Sequence, residues 1–382
     1  MKEGWTYKRF DEVFDLQIGK TPSRENTSYW GGENVWVSIA DIKEKYIGTS
    51  KEYITDTAVT ESGIKIVPEN TVIMSFKLSV GRCAITSKEL YTNEAIMAFT
   101  PKEGYILLSD FIYYYLKGYK WNGANKAVMG MTLNKKSISI NTFAFPDFSI
   151  QQQIVSELDL LSEVIEKQKA QIEELDKLAQ SIFYDMFEGK EWERKTIKDI
   201  AFVKIGPFGS ALHQHDYISG GTPLVNPIHM MDGKIVTDKD FTISDEKRDE
   251  LSAYLLKTDD VVFGRRGDIG RCALVTEKEN GYLCGTGSLF VRFTIDINPL
   301  YSIKVLSSSD VRQFLLDNAR GATMLNLNST VIESISIPLP PLSFQQEFAE
   351  KIESIESMKA KVRQSLKESA QLFNSRMDYY FN

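Results

Sequence analysis

The run "VVFGRRGDIGRCAL" sets Arg265, Arg266 and Arg271 among three glycines, Gly264, Gly267 and Gly270. A guanidinium is a planar fork of donors that matches the acceptors of a phosphate or a guanine edge. Glycines beside it let the backbone approach a bound surface closely. The chemistry on offer is binding rather than bond making. Histidine supplies a second candidate, because His213 and His215 are spaced HxH with His229 nearby. No further ligands cluster there as a zinc site requires. On the loop after Gly209 these imidazoles are expected either to face solvent or to contact a bound ligand.

The arginine run ends in a tetrapeptide, GRCA, that also occurs in "VGRCAIT" at 80–86. Other landmarks recur at nearly the same separation and in the same order. Trp5 and Trp192 lie 187 residues apart, as do Gly19 and Gly206, and the GRCA copies lie 189 apart. "FPDFSIQQQIV" (145–155) and "LPPLSFQQEFA" (339–349) lie 194 apart. The slow drift is what small loop insertions in the second copy would produce. The chain reads as a tandem duplication whose period is far longer than a solenoid repeat. In the first copy the basic residues of the same run are Lys77 and Arg82. A feature common to both copies suits scaffold or phosphate contact, so specificity is expected in what differs between them.

The elements that must hold these residues are mixed. "ENVWVSIADI", "NTVIMSF" and "DDVVFG" read as strands punctuated by Gly, Asn and Pro, and short helices are expected at "LSDFIYYYLKGY" and "SSDVRQFLLDNA". Each copy ends in a long helix. In the first, Ile154, Leu158, Leu161, Ile165, Ile172 and Leu175 form a seam in steps of three and four, with Gln168 a polar interruption. In the second, the seam is Phe348, Ile352, Ile355, Val362, Leu366 and Phe373, broken by Lys359, Ser369 and Arg376. Ser149 and Ser343 each precede a glutamine by the spacing of a capping box, and Gly189 marks a helix stop. The expected boundaries are 1–148 and 190–342 for the globular regions, with 149–189 and 343–382 for the helices.

The fold class expected is α+β: two mixed α/β domains related by pseudo-twofold symmetry and joined by two long antiparallel coiled-coil helices. Seams facing each other would supply the burial that long helices need. Twofold-related heads would suit inverted half-sites on a duplex.

The chain has 382 residues and a net charge of −7. Nine carboxylates against three lysines between 150 and 188 account for most of that charge. The globular regions are therefore near neutral and can carry local basic patches, so the global charge does not exclude a nucleic-acid partner. No long apolar stretch or signal-peptide core is present, which points to a soluble, cytoplasmic protein without a membrane partner. Cys83, Cys272 and Cys284 show neither CxxC spacing nor an even count, so buried, reduced thiols are expected.

On "IGKTPSRENTSYWGGENVWVSIADI", "IGPFGSALHQHDYISGGTPLVNP", "VVFGRRGDIGRCAL" and "SIPLPPLSFQQEFAEKI", the whole chain resembles the DNA-specificity subunit of type I restriction-modification systems. The first copy departs from the pattern in "SFKLSVGRCAI", where Lys77 stands near a more usual Arg-x-Gly, and in a junction without a proline run. The resemblance implies that each globular region is a target-recognition domain reading one half of a split, asymmetric double-stranded DNA site. It implies that the helices set the spacer and dock two methyltransferase subunits, which bind S-adenosylmethionine. Motor-nuclease restriction subunits would join a larger complex, and this chain would bind no cofactor or metal and catalyse nothing.

The DNA-contact candidates in the first copy are Thr21, Ser23, Arg24, Tyr29, Trp30, Lys77 and Arg82. In the second they are Ser210, His213, His215, Tyr217, Arg265, Arg266 and Arg271. Tyr29 and Trp30 could equally pack under their loop. The competing reading is an enzyme, a DNA methyltransferase or nuclease with degenerate motifs. Its nearest support is "VNPIHM" (225–230), which lacks the second proline and the aromatic of an amino-methyltransferase motif.

Overall fold

The computed structural model describes residues 2–77, 79–121, 125–127, 130–187, 190–207, 211–231, 233–319 and 326–382. The chain divides into two compact units, Met1–Gln171 with Val362–Asn382, and Ile172–Lys361. Each unit therefore takes one globular region together with part of both long helices.

In the first unit a five-stranded sheet runs in the order Phe14–Ile18, Ile96–Pro101, Val72–Ser75, Cys83–Thr86, Tyr46–Ile47. All its pairings are antiparallel except the last, which is parallel. Val72–Ser75 is buried at every residue because both faces are covered. Successive side chains point to opposite faces. Val72 and Met74 join the aromatic cluster of Phe10, Phe14, Phe99, Phe111 and Phe143, while Ile73 packs with Val35, Val37, Ala84 and Ala98.

The second unit repeats the device. Its sheet runs Ala201–Ile205, Ser288–Phe293, Val261–Gly264, Cys272–Leu274. Val261 and Phe263 pack to one side, and Val262 packs with Ala273 and Phe290 on the other. Each unit adds a smaller sheet containing one parallel pair, Trp30–Val37 with Tyr91–Thr92 and Thr222–Val225 with Leu283–Cys284. The expected short helices are present at Ser109–Gly118 and Ser309–Asn318.

The duplicated glycines mark close approaches. A Cβ on Gly19 would lie 2.1 Å from the Thr92 carbonyl oxygen, and one on Gly206 would lie 2.1 Å from that of Gly285. Only glycine fits, because backbone cannot yield as a side chain tip can. Gly206→Ala is expected to cost about 1–3 kcal/mol, the usual range for forced overpacking. Urea unfolding followed in the second unit checks this, and a midpoint equal to the parent's would refute it.

The long helices span Phe148–Phe187 and Leu342–Phe381. Ser149 and Ser343 therefore lie inside the first turn, which corrects the capping-box expectation. The first-turn N–H groups of Ile150 and Gln151 reach the Asp147 carbonyl at 3.0 Å instead, and Phe344 and Gln345 reach Pro341 at 2.9 and 3.1 Å. The capping-box glutamines, Gln152 and Gln346, are exposed, and the buried ones are their neighbours Gln151 and Gln345. Gln151 accepts from Leu108 N–H at 3.0 Å and donates to the Pro146 carbonyl at 2.9 Å. Gln345 accepts from Asn298 N–H and donates to the Pro340 carbonyl, both at 2.9 Å. Each ties the start of a long helix to the start of a helix in its globular region. Gly189, the expected stop, lies outside the described residues.

Within each unit the two helices run antiparallel. In the first, Gln168 donates to Ser365 at 2.8 Å, and Glu157 meets Arg376 with Nη2 to Oε2 at 2.9 Å. In the second, Asp176 meets Lys359 at 2.5 Å, while Phe187 meets Phe344 and Phe348 edge to face nearer the helix start. Of the seam residues, Ile154, Leu158, Phe348, Ile352 and Ile355 are buried. Leu161, Ile165, Ile172, Leu175, Val362, Leu366 and Phe373 are half-buried. Two of the three breaks in the second seam are thus ion-paired: the ammonium of Lys359 also reaches Glu356 at 3.2 Å, and Arg376 additionally donates to the Tyr380 hydroxyl. No described helix is long and apolar enough to cross a membrane.

Candidate nucleic-acid interface

The two GRCA copies close equivalent hairpins. Met74 pairs with Cys83 in one and Phe263 with Cys272 in the other, leaving seven-residue loops at 76–82 and 265–271. The loops are anchored alike. Phe76 N–H donates to the Ala95 carbonyl at 2.9 Å and Arg265 N–H to that of Gly287 at 3.0 Å. Leu133 and Leu327 donate to the Phe76 and Arg265 carbonyls, each at 2.9 Å. Gly81 and Gly270 both take positive φ, +89° and +86°, where a Cβ would be strained. Lys77 thus corresponds to Arg266, and Arg82 to Arg271.

The loops differ in how they hold these cations. Arg271 donates from Nη2 to Asp268 at 3.0 Å and from Nη1 to the Pro227 carbonyl at 3.2 Å, and Arg312 shares Asp268 at 3.0 Å. Arg271 is therefore committed to holding its own loop. The first unit has Ser79 where Asp268 stands. Among the described residues the Arg82 side chain accordingly has no hydrogen-bond or ion-pair partner and is exposed. Arg266 is likewise exposed and unpaired through its side chain among those residues. Arg265 is half-buried, with Nε 3.3 Å from the Leu327 carbonyl, and burial and the neighbouring Arg266 charge lower its pKa. Lys77 lies 5.4 Å from the Phe76 ring centre.

The second cluster in the first unit is the loop before Trp30–Val37. The Arg24 guanidinium stacks 3.8 Å over the Trp30 ring and forks onto Glu52, with Nη2 to Oε2 at 2.9 Å. That pairing lowers the Glu52 pKa and raises that of Arg24. Trp30 donates from its indole nitrogen to the Ser23 carbonyl at 3.1 Å, and Tyr29 donates to Glu61 at 2.6 Å. Tyr29 and Trp30 are half-buried and pack against the cluster that contains Trp36, Ile54 and Tyr91. Thr21 donates to Glu94, whose pKa is lowered by that bond and further by the Lys77 and Arg24 charges. Glu94 therefore lies where this loop and the hairpin converge. The carboxylates Glu52, Glu61 and Glu94 were not legible as partners in the sequence, since nothing in their spacing points to the loop.

In the second unit the His213 and His215 rings stack at 5.2 Å and are exposed, flanking a turn held by His213 N–H to Asp216 at 2.7 Å. The Tyr217 ring packs beside Phe241 at 5.9 Å. Ser210 lies outside the described residues. No hydrogen bond, ion pair or ring contact among the described residues joins these histidines to the arginine hairpin. Cys83 and Cys272 are buried in the hairpin strands, and burial pushes both thiols up to about 12.

His229 sits apart from the histidine pair, 3 % exposed, with Nδ1 accepting from Asn226 N–H at 3.1 Å. Burial holds its pKa below the ordinary value. The unfolded chain therefore takes up this proton first, near pH 6.5. The stabilising contribution is complete above that pH and is lost as pH falls toward the folded pKa. Asp41 holds the corresponding turn in the first unit, so His229→Asn is a conservative replacement. Thermal unfolding at pH 7 and pH 5 should show a smaller drop for this variant than for the parent; equal drops would exclude the assignment.

The comparisons with known proteins follow this duplication. A family model described as type I restriction modification DNA specificity domain matches residues 2–177 and again 189–369. The type I restriction enzyme MjaIX specificity subunit of Methanocaldococcus jannaschii is 24% identical over 377 residues, covering 90% of this chain and 85% of that protein. A solved structure described as bearing on complex assembly and conformational transition of the type I R-M system matches with a TM-score of 0.68 at 14% identity, over 100% of this chain and 98% of that one. The type I S subunit from M. genitalium matches with a TM-score of 0.55 at 15% identity, over 99% and 96%. With its two halves matched in turn, the chain belongs to the type I restriction-modification DNA specificity family.

Proposed function

We propose that this chain is the sequence-reading subunit of a type I restriction-modification complex, with one half of a split DNA site read by each globular region. The observation that carries the reading is the double family match, one per half, onto two units with equivalent hairpins. In this reading Arg266, Lys77 and Arg82 supply the outward cations for DNA, and the loop of Thr21, Ser23 and Arg24 and the turn of His213, His215 and Tyr217 shape each surface. Arg271 and Arg265 brace the hairpin. The recognition domains are assigned to 1–148 and 190–342. Two methyltransferase subunits dock on the helical parts and supply S-adenosylmethionine and the chemistry, restriction subunits join them, and the chain works in the cytoplasm without a cofactor or activity of its own.

The test uses purified chain, DNA and labelled S-adenosylmethionine. No methyl transfer is expected from the chain alone, with site-specific transfer once methyltransferase subunits are added. Transfer by the chain alone would support the enzyme reading instead.

A further inference from the structure

The second unit contains an open cleft of about 1250 Å³, lined in part by Met231, Leu300, Ile303, Lys304 and Glu353. The first unit has equivalent backbone hydrogen bonds there and seats a lysine of its own at the same place. Equivalence is fixed by hydrogen bonds. Ile85 N–H donates to the Lys45 carbonyl at 2.7 Å, and Leu274 N–H donates to the Gly233 carbonyl at 3.1 Å. Leu108 and Asn298 both donate to the buried glutamines. Gly233 therefore stands for Lys45, Ile303 for Tyr113, Lys304 for Tyr114 and Glu353 for Asp159.

In the first unit Lys45 is a plug. Its ammonium lies 2.7 Å from Asp110 and is bonded to Asp159, and it sits 4.8 Å from the Tyr114 ring and 5.7 Å from the Tyr113 ring. Tyr46 and Tyr114 donate to the same two carboxylates at 2.7 and 2.5 Å. Burial opposes the Lys45 charge, yet these partners raise its pKa overall. The second unit keeps the carboxylate at the Asp159 position as Glu353 but has lost the lysine and both rings.

The other charges of the cleft are already paired. Asp268 holds Arg271 and Arg312, Glu356 meets Lys304 at 3.5 Å and Lys359 at 3.2 Å, and Glu279 meets Lys278 at 3.6 Å. Among the described residues Glu353 and Lys234 are left without ion partners. The rim exposes Ile228 and Met231, 64% and 59% accessible. A carboxylate without an ion partner among the described residues, in a lining that also holds Leu300 and Ile303 and in the position where the sister unit seats a lysine, calls for a cation on an apolar stem.

We infer that this cleft accepts a lysine or arginine side chain, flanked by apolar residues, from a protein partner of the assembly. The inference rests on the proposed function for the existence of that partner, but the occupant's chemistry comes from the sister unit's own plug. Lys234 also lines the cleft and would favour an acidic occupant, in which case norleucine for the peptide's second lysine would leave its affinity unchanged or raise it and overturn the inference.

The probe is the hexapeptide KEKYIG, copied from residues 43–48 and capped at both ends, titrated into the full chain with methionine methyls isotopically labelled. The methyl signals of Met230 and Met231 are expected to move saturably. Glu353→Gln should weaken binding at least fivefold, as should norleucine in place of the peptide's second lysine. Ile303→Tyr, which restores bulk to the cleft, should abolish the shifts. Glu353 is exposed, so its variant leaves the fold intact. No saturable shift, or equal affinity with Glu353→Gln, overturns the inference. In a reconstituted complex with DNA, a photo-crosslinker replacing Met231 should label a protein partner and be competed by the peptide. Labelling of DNA overturns the cleft assignment. Failure of any complex to assemble would instead count against the proposed function, with the peptide titration still deciding the cleft.

Discussion

Arg292→Ala is expected to destabilise the second unit by about 3–5 kcal/mol, the range for removing one partner of a buried ion pair. Asp260 is 1 % exposed, and Arg292 grips it with Nε to Oδ1 at 2.8 Å and Nη2 to Oδ2 at 2.6 Å. The guanidinium also donates to the Leu255 carbonyl at 3.0 Å and lies 4.8 Å over the Phe290 ring. Among the described residues, truncation leaves the buried carboxylate with only the Lys257 N–H, at 2.7 Å, to donate to it. The sister unit shows that the fold does not need the pair. By strand register Asp260 corresponds to Thr71 and Arg292 to Thr100. The double variant Asp260→Thr with Arg292→Thr should therefore recover most of the loss, which makes the cost one of an orphaned charge rather than of missing bulk. Urea unfolding of both variants decides it. A single variant within about 0.5 kcal/mol of the parent, an ordinary surface effect, would mean that Asp260 finds another partner.

The duplication was legible because the features that specify backbone tolerate little drift. Gly19 and Gly206 recur because a carbonyl occupies the space of a Cβ at both. Even the left-handed residue before each central strand recurs, as Asn70 in one unit and Asp259 in the other, the residue types that bear positive φ at least cost. The seams were legible from period alone, since burial along a helix follows its turn. What the pattern could not convey was partner identity. The capping-box spacing points to Gln152 and Gln346, whereas the glutamines that tie the helix starts down are Gln151 and Gln345, whose amides bridge to Leu108 and Asn298, a relation no local spacing encodes. Arg24 read as an available fork for the same reason: Glu52, which binds it, is 28 residues on. Arg271 and Arg82 look identical within GRCA, yet one is bound and one is not, decided by Asp268 against Ser79 three positions earlier. A motif reports the backbone it belongs to, and the neighbours decide what its side chains are free to do.

That difference sets the largest functional expectation. Arg266→Ala and Lys77→Ala occupy equivalent loop positions in separate units. Each should weaken DNA binding by about 1–3 kcal/mol, the value of a good base contact. Because the sites lie in different units and share no partner, the losses should add, reaching about 2–6 kcal/mol in the double variant. The sequence consequences should separate: Arg266→Ala relaxes only the half-site read by the second unit, and Lys77→Ala only the other. Arg82→Ala should behave differently, as its counterpart is a loop brace and its position is common to both units. It is expected to lower affinity for all sequences alike and to reduce the salt slope by about one, the mark of a phosphate contact. Selection from a DNA library with both half-sites randomised, repeated at two salt concentrations, measures all three. Relaxation of both half-sites by Arg266→Ala alone would show that the hairpins do not read the halves separately. Undiminished affinity in the double variant would remove the hairpins from the interface altogether and leave the loop of Thr21–Trp30 and the turn at His213–Tyr217 as the surfaces to test.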